Sequence, residues 1–286
     1  MYFMKVPRVE SRSVLVTGCS TGIGRVTARL LRAHGWQVIP TARRPADLEQ
    51  LRAEGFAPVA LDMADSASVR TAAAVALQRL DGRLGALVNN AGYGQPGALE
   101  DLSRAAMQHQ FEVNVLGLQD LTNQFIPLFR QQGFGRIVNV SSVLGRIPLP
   151  LMGIYVASKY ALEGLSDALR IELRGSGVAV AIIEPGPIAT EFRATAENLG
   201  WQHLSNAQSP FVDLYRRKAA GESEPRRRDR FMAPPEAVAK KIRHALESTR
   251  PRTRYPVTAV AWMGAILRRC APDALMDRLL SGRLAT

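Results

Sequence analysis

The stretch SVLVTGCSTGIGRVTARLLRAHG, residues 13–35, carries the strongest indication of fold in this sequence. It opens with a short apolar run that is typical of a buried strand. A glycine-rich turn follows, with the pattern T-G-x-x-x-G-x-G from Thr17 to Gly24. Apolar residues then recur at helical spacing up to Gly35: Ile23, Val26, Leu30 and Leu31. A strand that passes through a glycine turn into a helix predicts an α/β fold with a binding site at the turn.

The same alternation continues outward from this stretch. Further strands are predicted at 36–42, 57–62, 85–92, 135–142, 178–186 and 253–259, although Pro40 is unusual in a central strand. Helices are predicted at 45–55, 66–80, about 103–131, 155–177 and 234–249. We therefore predict a Rossmann-type, doubly wound α/β fold with a single seven-stranded parallel sheet and helices on both faces. Residues 1–286 are expected to form one domain, with an irregular excursion at 187–232 and a helical extension at 259–286.

Composition excludes some classes of protein and favours others. An apolar fraction of 47% over 286 residues is enough to build a core without disulfides or metals. The formal charge of +12 would attract nucleic acid or acidic lipid. The basic residues, however, form no long tract, and the nearest cluster, Arg226 to Arg228, is followed by Asp229. A solvated surface is the favoured interpretation, and a nucleic-acid partner is not expected.

The cysteines and the termini indicate an intracellular protein. Cys19 and Cys270 are the only two cysteines, and neither has a Cys or His neighbour at metal-ligand spacing, so no metal site is predicted. The N-terminus lacks the apolar core of a signal peptide, and no run of about 18 apolar residues is long enough to span a bilayer. We expect a cytoplasmic location.

The glycine turn has the features of a dinucleotide-binding turn. Such a turn lets the backbone approach a pyrophosphate and directs helix N–H groups at it. NAD-specific sheets tend to carry a carboxylate at the end of the second strand, but here the strand ends in Ala42, Arg43 and Arg44. Guanidinium groups suit the 2′-phosphate of NADP(H), so NAD(H) is the less favoured cofactor. The alternative is that Arg43 and Arg44 are ordinary surface charges.

Tyr155 and Lys159 lie four residues apart in a predicted helix and therefore share one face. A free phenol has a pKa of about 10, and a nearby ammonium would lower it toward the range useful in acid–base catalysis. The pair alone is weak evidence, because this spacing arises often by chance.

Taken in order, these motifs resemble the short-chain dehydrogenase/reductase family in its common core form with an extended C-terminus. The resemblance covers about residues 12–190. Beyond the glycine turn it rests on Asp62 after strand three, Asn89-Asn90-Ala91-Gly92 after strand four, Asn114, Ser142 thirteen residues before Tyr155, and Pro185-Gly186 after strand six.

The resemblance implies a role for each matching residue. Tyr155 would exchange the proton with the substrate oxygen, which Ser142 would hydrogen-bond. Lys159 would lower the pKa of Tyr155 and hold the nicotinamide ribose, and Asn114 would position a water beside it. The full cofactor set implied is Gly18, Ser20, Thr21, Gly22, Ile23, Gly24, Arg43, Arg44, Asp62, Met63, Asn90, Ala91, Gly92, Tyr155, Lys159, Pro185, Gly186, Ile188 and Thr190.

Several residues compete with these candidates. Ser141 neighbours Ser142 but should point elsewhere, and the thirteen-residue spacing to Tyr155 selects Ser142. Cys19 is interpreted as a small filler within the turn. The four histidines are interpreted as structural or surface residues: His34, His109, His203 and His244.

The predicted substrate walls are apolar. Gly94 to Pro96 and Leu144 to Met152 would form two of them. Residues 187–232 would cross the open end of the site, or simply pack on the sheet; their apolar side chains are Phe192, Leu199, Trp201, Leu204, Phe211, Leu214 and Tyr215. The layout is similar to family members that act on steroids, retinoids and other lipophilic alcohols or ketones.

Two other functions remain as alternatives, a dinucleotide-binding sensor or scaffold without turnover and a nucleic-acid binder. A homodimer or homotetramer is expected through helices at about 103–131 and 155–175, the interface that the resemblance implies. The apolar C-terminal extension would either pack on the protein or rest on a membrane surface, and packing is favoured.

Overall fold

Seven strands form one parallel sheet in the order β3-β2-β1-β4-β5-β6-β7 within the described part of the chain. A computed structural model describes residues 5–192, 204, 208–220 and 232–281. Leu199, Trp201, His203 and Arg226 to Arg228, named above, lie outside these residues. The strands are β1 (Ser13–Val16), β2 (Gln37–Ala42), β3 (Val59–Ala60), β4 (Ala86–Asn89), β5 (Gly135–Val140), β6 (Val178–Glu184) and β7 (Arg254–Pro256). The strand order reverses between β1 and β4, and their carboxyl ends open a crevice there.

The helices follow the strands as a doubly wound fold requires. They are α1 (Gly22–Ala33), α2 (Pro45–Ala53), α3 (Ser66–Arg79), α4 (Arg104–Phe111), α5 (Gly117–Gln132), α6 (Gly153–Glu172), α7 (Val212–Ala219), α8 (Pro235–Glu247), α9 (Ala259–Cys270) and α10 (Asp273–Ser281). Local signals fix several ends. Asp65 caps α3 by accepting from the Ala67 N–H at 2.8 Å, and Gly133 ends α5 in the left-handed region with φ 74°.

Alternating strand residues divide the core between the two faces of the sheet. Val14, Val16, Val88 and Val138 pack with helices α1, α2 and α8 on one face. Leu15, Leu87, Ile137 and Val180 pack with α3, α5 and α6 on the other. Both faces of each central strand are buried, which explains why these strands are continuous apolar runs. The predicted seven-stranded parallel sheet with helices around it is confirmed.

Some elements differ from their predicted extent. The third strand, predicted at 57–62, is only Val59–Ala60, and it pairs with Thr41 and Ala42 at the end of β2. Strand β3 pairs with β2 only at Thr41 and Ala42. Pro40 is tolerated in β2 because it has no partner residue in β3. The sixth helix starts at Gly153 and ends at Glu172, earlier at both ends than predicted.

The long helix predicted at about 103–131 is interrupted. A wider π-helical turn, Glu112–Leu116, separates α4 from α5. Gly117 follows directly, and an added Cβ there would come within 1.8 Å of the Met63 carbonyl oxygen. The close approach of α5 to the end of β3 therefore requires glycine. Such turns are frequent at functional sites, and this one carries Asn114.

The C-terminal extension forms α9 and α10, which pack on the domain through Ala261, Gly264 and Met276. Their outer faces leave large apolar side chains exposed: Trp262, Met263, Ile266, Leu275 and Leu279. In the described segments no helix combines sufficient length with sufficient hydropathy to cross a lipid bilayer.

Candidate active site

The turn between β1 and α1 can be built only with glycine at three positions. Gly18 and Gly22 have φ of +69° and +55°, which L side chains rarely adopt. A Cβ on Gly18 would lie 2.8 Å from the Ala91 Cα, and a Cβ on Gly22 would lie 3.2 Å from the Thr190 side chain. At Gly24 a Cβ would meet the Gly18 carbonyl oxygen at 2.1 Å. The turn is therefore a tight cradle of backbone.

The cradle leaves backbone donors free at the start of α1. Thr21, the N-cap, is extended and its side chain makes no capping hydrogen bond, and the first helical turn contains no acidic residue. The first N–H groups of a helix have no partner within the helix and carry partial positive charge. A pyrophosphate fits this arrangement, with Ser20, Thr21, Gly22, Ile23 and Gly24 around it.

The loop after β4 braces the glycine turn. The Asn90 side-chain amide donates to the carbonyl oxygens of Thr17 at 2.9 Å and Gly18 at 3.0 Å. The Thr17 hydroxyl accepts from the backbone N–H groups of Asn90 and Ala91, each at 2.9 Å. The family resemblance placed Asn90 among the residues that bind the cofactor. In the structure the Asn90 amide donates to two backbone carbonyls of the glycine turn, so it stabilises the conformation of that turn.

The three arginines near the turn have different partners. Arg44 forms a two-pronged contact with Asp47 at 2.7 and 2.9 Å. Arg25 pairs with Glu54, whose carboxyl pKa falls to about 2, with the Arg29 hydrogen bond as the largest cause. The nearest carboxylate to Arg43 is Asp62 at 3.9 Å, and the Arg43 side chain is 62% exposed. The guanidiniums of Arg44 and Arg25 are thus engaged with carboxylates, which leaves Arg43 as the least tightly held of the three.

Tyr155 and Lys159 face the carboxyl end of the sheet from the first turns of α6. Both residues are buried, at 6% and 5% exposure. The Lys159 ammonium donates to the Val140 carbonyl at 2.9 Å and lies 5.8 Å from the centre of the Tyr155 ring. The Ser142 hydroxyl accepts from the Leu144 N–H at 3.1 Å and lies close enough to the Tyr155 phenol to oppose a rise in its pKa. The strand exit and the helix thus bring the three predicted side chains together.

Burial dominates the acid–base properties of this pair. It raises the pKa of Tyr155 to about 12, and the Ser142 hydrogen bond only partly opposes the rise. Burial also lowers the pKa of Lys159 to about 8, against the attraction of the Glu163 carboxylate. Burial thus outweighs any stabilisation of the phenolate by the Lys159 charge, which lies 5.8 Å from the centre of the ring. At neutral pH the phenol is protonated and can donate its proton.

Asn114 and Gly92 complete this corner of the site. Asn114 accepts from the Tyr93 N–H at 3.1 Å and donates to the Tyr93 carbonyl at 2.9 Å. A Cβ on Gly92 would lie 3.0 Å from the Asn114 side-chain oxygen and 3.8 Å from the Lys159 nitrogen. Asn114 therefore fixes the loop after β4 and borders the space beside Lys159. It also donates to Ser158 at 3.1 Å.

The segment after β6 closes the opposite side. The Pro185 carbonyl accepts from the Val143 N–H at 2.8 Å, and Ile188 pairs with Ala233 in an isolated bridge. A Cβ on Gly186 would lie 2.0 Å from the Thr258 hydroxyl oxygen, a neighbour that sequence reasoning missed. Thr190 lies against Gly22. Pro185, Gly186, Ile188 and Thr190 thus run from the catalytic turn to the glycine turn.

Apolar side chains border the space above Tyr155. The Phe192 ring lies 5.7 Å from the Tyr155 ring, and a Cβ on Gly94 would lie 3.0 Å from the Met152 methyl and 3.4 Å from the Phe192 ring. Further out, Leu204, Ala98 and Tyr215 form a small buried cluster that includes Leu151 and Phe211 at its edge. Members of the two predicted walls and of the described part of the excursion therefore meet beside the Tyr155 ring: Gly94, Met152 and Phe192.

Comparison with known proteins identifies the family. Residues 12–199, well over half of the chain, match the family model described as short chain dehydrogenase. The chain belongs to the short-chain dehydrogenase/reductase family. The resemblance inferred from the motifs is thereby confirmed.

Relatives and solved structures agree with this assignment. The chain is 42% identical over 275 residues to the uncharacterized oxidoreductase YbbO of Escherichia coli K12, covering 96% of both chains. It is 34% identical to retinol dehydrogenase 16 of Mus musculus, covering 96% of this chain and 89% of that one.

Two family structures illustrate the cofactor class. A short chain dehydrogenase from Burkholderia cenocepacia in complex with NADP superposes with a TM-score of 0.73 at 25% identity, covering 96% of this chain and 99% of that one. One from Burkholderia phymatum in complex with NAD gives 0.76 at 26% identity, covering 92% and 94%. This chain is therefore an oxidoreductase of a family whose members bind a nicotinamide dinucleotide and act on small molecules.

Proposed function

We propose that this short-chain dehydrogenase/reductase is NADP(H)-dependent and interconverts a carbonyl and a secondary alcohol in a lipophilic substrate. The observation that carries the proposal is the buried group of Ser142, Tyr155 and Lys159 at the carboxyl ends of the strands. Hydride arrival at a carbonyl carbon leaves an alkoxide, which needs a proton donor and hydrogen bonds already in place. These three side chains supply both.

The residues around the glycine turn fit a dinucleotide. The cradle would hold the pyrophosphate, Asp62 and Met63 would flank the adenine, and Pro185, Gly186, Ile188 and Thr190 would line the nicotinamide side, with Ala91 and Gly92 at the loop between. When bound, the nicotinamide ring supplies or accepts the hydride.

Tyr155 exchanges the proton with the substrate oxygen. In the direction of reduction it donates, and the raised pKa of about 12 keeps the phenol protonated at neutral pH. Ser142 orients the same oxygen and stabilises the negative charge that develops on it. A positioned acid of this kind contributes about a hundred- to ten-thousandfold to the rate.

Lys159 and Asn114 support the proton donor. Lys159 places a positive charge 5.8 Å from the phenol ring, which stabilises phenolate after the proton has left. Lys159 also reaches the position where a nicotinamide ribose would lie, beside Gly92. Asn114 borders the same space and would hold a water that returns a proton from solvent toward Lys159.

The preference for NADP(H) is supported by Ala42 and Arg43 at the end of β2. Ala42 offers no carboxylate to bind a ribose hydroxyl or to repel a phosphate. The exposed guanidinium of Arg43 is free to turn toward a 2′-phosphate, with Asp62 at 3.9 Å as its nearest carboxylate. A guanidinium can bind two phosphate oxygens at once.

The substrate class is supported by the apolar lining around Tyr155. This lining is formed by Phe192, Met152 and Gly94. Their side chains offer a substrate no hydrogen-bonding groups beyond those of the proposed catalytic residues. Several relatives are named for reactions on lipophilic compounds, among them retinol dehydrogenase 16 and a 3-ketodihydrosphingosine reductase of Bacteroides thetaiotaomicron. We infer a similar class of substrate for this chain.

The test is to measure NADPH oxidation by the purified protein with a panel of long-chain, retinoid and steroid carbonyls. We expect turnover with NADPH that exceeds turnover with NADH, and higher kcat/KM for the lipophilic members than for short aldehydes of equal reactivity. NADPH binding without turnover of any member would favour a dinucleotide sensor over an enzyme.

A further inference from the structure

A group of charged side chains lies buried behind the catalytic turn. Glu163 on α6 and Glu184 at the end of β6 are 6% and 2% exposed. The guanidinium of Arg146 lies 2.8 Å from Glu184 and 3.7 Å from Glu163. The guanidinium of Arg254, on β7, lies 3.1 Å from Glu163 and 3.5 Å from Glu184. Two carboxylates thus share two guanidiniums where the solvent scarcely reaches.

The group touches the catalytic machinery through its backbone. A Cβ on Gly145 would lie 2.8 Å from the Ser141 hydroxyl oxygen, 3.1 Å from the Glu163 Cγ and 3.2 Å from the Lys159 carbonyl oxygen. The turn that carries Ser142 therefore packs directly on α6 at Lys159 and Glu163. On its other side Glu184 precedes Pro185, whose carbonyl accepts from Val143 in the same turn at 2.8 Å.

Glu163 also stands one helical turn after Lys159. Residues four apart on a helix are neighbours on one face, so the carboxylate and the ammonium interact across that turn. Attraction to Glu163 opposes the fall in the Lys159 pKa that burial causes. Glu163 is the negative charge that acts on Lys159 from the same helix face.

Every element packed around Glu163 presents a polar group to it. The turn contributes Arg146 and the Ser141 hydroxyl, β6 contributes Glu184, and β7 contributes Arg254. Burial raises the pKa of Glu163, with Glu184 adding to the rise, and Ser141, Arg254 and Arg146 oppose it. The two guanidiniums stabilise the charged form of Glu163, because a buried charge is tolerated when it is paired and hydrogen-bonded.

We propose that Glu163 is a positioning residue of this site: anchored by Arg146 and Arg254, it holds the Ser142 turn against α6 and supplies the negative charge that keeps Lys159 an ammonium. The catalytic part of this proposal rests on the function proposed above. Its electrostatic part concerns the protein alone and can be measured without substrate or cofactor.

The sequence has only five lysines, which makes the test direct. The protein is labelled with carbon-13 at lysine Cε, and the NMR signals are titrated with pH, Lys159 being assigned by its loss in Lys159→Arg. In the parent, Lys159 should titrate near its pKa of about 8. In Glu163→Gln, which is nearly isosteric and neutral, the same signal should titrate at lower pH.

Asp167→Asn is the matched control. Asp167 lies a further turn along α6 and also binds Arg254, at 2.6 Å, but its side chain is 38% exposed. This variant removes another carboxylate that pairs with Arg254, and it should leave the pKa of Lys159 unchanged. If Glu163→Gln does not fold, the double variant Glu163→Gln with Arg254→Gln, which removes one charge of each sign, makes the same comparison.

The kinetic arm follows carbonyl reduction as a function of pH. In Glu163→Gln the alkaline loss of kcat should move to lower pH, so that the variant loses several-fold in kcat near pH 8 and little at lower pH, whereas Asp167→Asn keeps the parent profile. A Lys159 signal that titrates alike in parent and Glu163→Gln would overturn the proposal, as would an equal shift in Asp167→Asn. A parent with the expected titration but no reductase activity would instead refute the proposed function.

Discussion

Arg43 differs from its basic neighbours in what its guanidinium contacts. Arg44 is held by Asp47 and Arg25 by Glu54, whereas the closest carboxylate to Arg43 is 3.9 Å away. Arg43 therefore loses least by turning toward a bound phosphate. This contrast makes Arg44 a matched control for Arg43, since the two are adjacent and both largely exposed.

Replacing Arg43 with Ala should lower kcat/KM for NADPH by about ten- to a hundredfold, because one charge-assisted contact contributes roughly 1.5–3 kcal/mol. The value for NADH should change little, and Arg44→Ala should have the smaller effect on NADPH. Ala42→Asp should shift preference toward NADH by repelling the phosphate. Steady-state kinetics with both cofactors decide the matter. Equal losses for NADPH and NADH in Arg43→Ala would mean that Arg43 is only a surface charge.

The protonation state of Lys159 gives a pH dependence with a definite sign. Burial lowers the pKa of Lys159 to about 8, so its charge is present below that pH and is lost as pH rises through it. Tyr155, with a pKa of about 12, keeps its proton over the same range. We therefore expect kcat/KM for reduction to fall on the alkaline side near pH 8. A profile that stays flat from about pH 6 to about pH 10 would show that the Lys159 charge is not needed.

At the scale of elements, the π-helical turn Glu112–Leu116 is the feature that best links fold to site. It turns Asn114 onto the backbone of Tyr93, with one hydrogen bond to the N–H and one to the carbonyl. A regular helix through this segment would change the direction of that side chain. The turn therefore connects α4 and α5 to the loop that follows β4.

Asn114→Ala should destabilise the fold by about 1–3 kcal/mol, because it leaves the part-buried Tyr93 N–H without its partner, whereas the Tyr93 carbonyl keeps its hydrogen bond from Gln110 at 2.9 Å. It should also lower kcat more than it weakens NADPH binding. Ser158→Ala removes only the third partner of Asn114, at 3.1 Å, and serves as the comparison. Thermal unfolding and single-turnover kinetics measure the two effects. An Asn114→Ala variant with parental melting temperature and kcat would refute both roles.

The elements also show what the sequence could and could not predict. The strands could be predicted from continuous apolar runs, because strands buried on both faces are apolar throughout. Glycines at the turns indicated where these runs end. The family resemblance implied that Asn114, Ser142, Tyr155 and Lys159 lie together in one site. The break in the helix near Asn114 escaped prediction, because no local pattern marks it; Gly117, directly after it, packs against Met63, which is distant in sequence.

Ion pairs escaped prediction for the same reason. Glu54 pairs with Arg25, which is 29 residues away in the sequence, and Glu163 pairs with Arg254, which is 91 residues away. Nothing in the local pattern marks these partners. For Glu163 a signal did exist, since it lies four residues after Lys159 on the same helical face.

At the scale of the whole molecule, the surface retains large apolar side chains on helix α6 and on the π-helical turn before α5. Ile171 is 65% exposed and Leu116 is 53% exposed, with Leu165 at 37%. Contiguous exposed apolar surface on a folded protein commonly marks an interface with another chain. These elements coincide with the interface that the family resemblance implied.

We predict a homodimer or homotetramer in solution, measured by light scattering at micromolar concentration. Ile171→Arg should shift the mass toward the monomer value of 31.2 kDa, because it places a charge in the proposed interface. Met263→Arg is the control, since Met263 on α9 is 62% exposed but lies on another helix. A monomeric parent, or dissociation by Met263→Arg alone, would show that the interface is not formed by α5 and α6.

The most direct test of the account is the effect of Tyr155→Phe on catalysis and on cofactor binding. The phenol oxygen is the proposed proton donor, and the variant keeps the ring that packs beside Phe192. NADPH affinity, measured by fluorescence titration, should stay within about threefold of the parent, while kcat for the best carbonyl should fall at least a hundredfold, or about 2.7 kcal/mol. If Tyr155→Phe kept more than about a tenth of the parental kcat, another group would have to supply the proton and the central claim would be wrong.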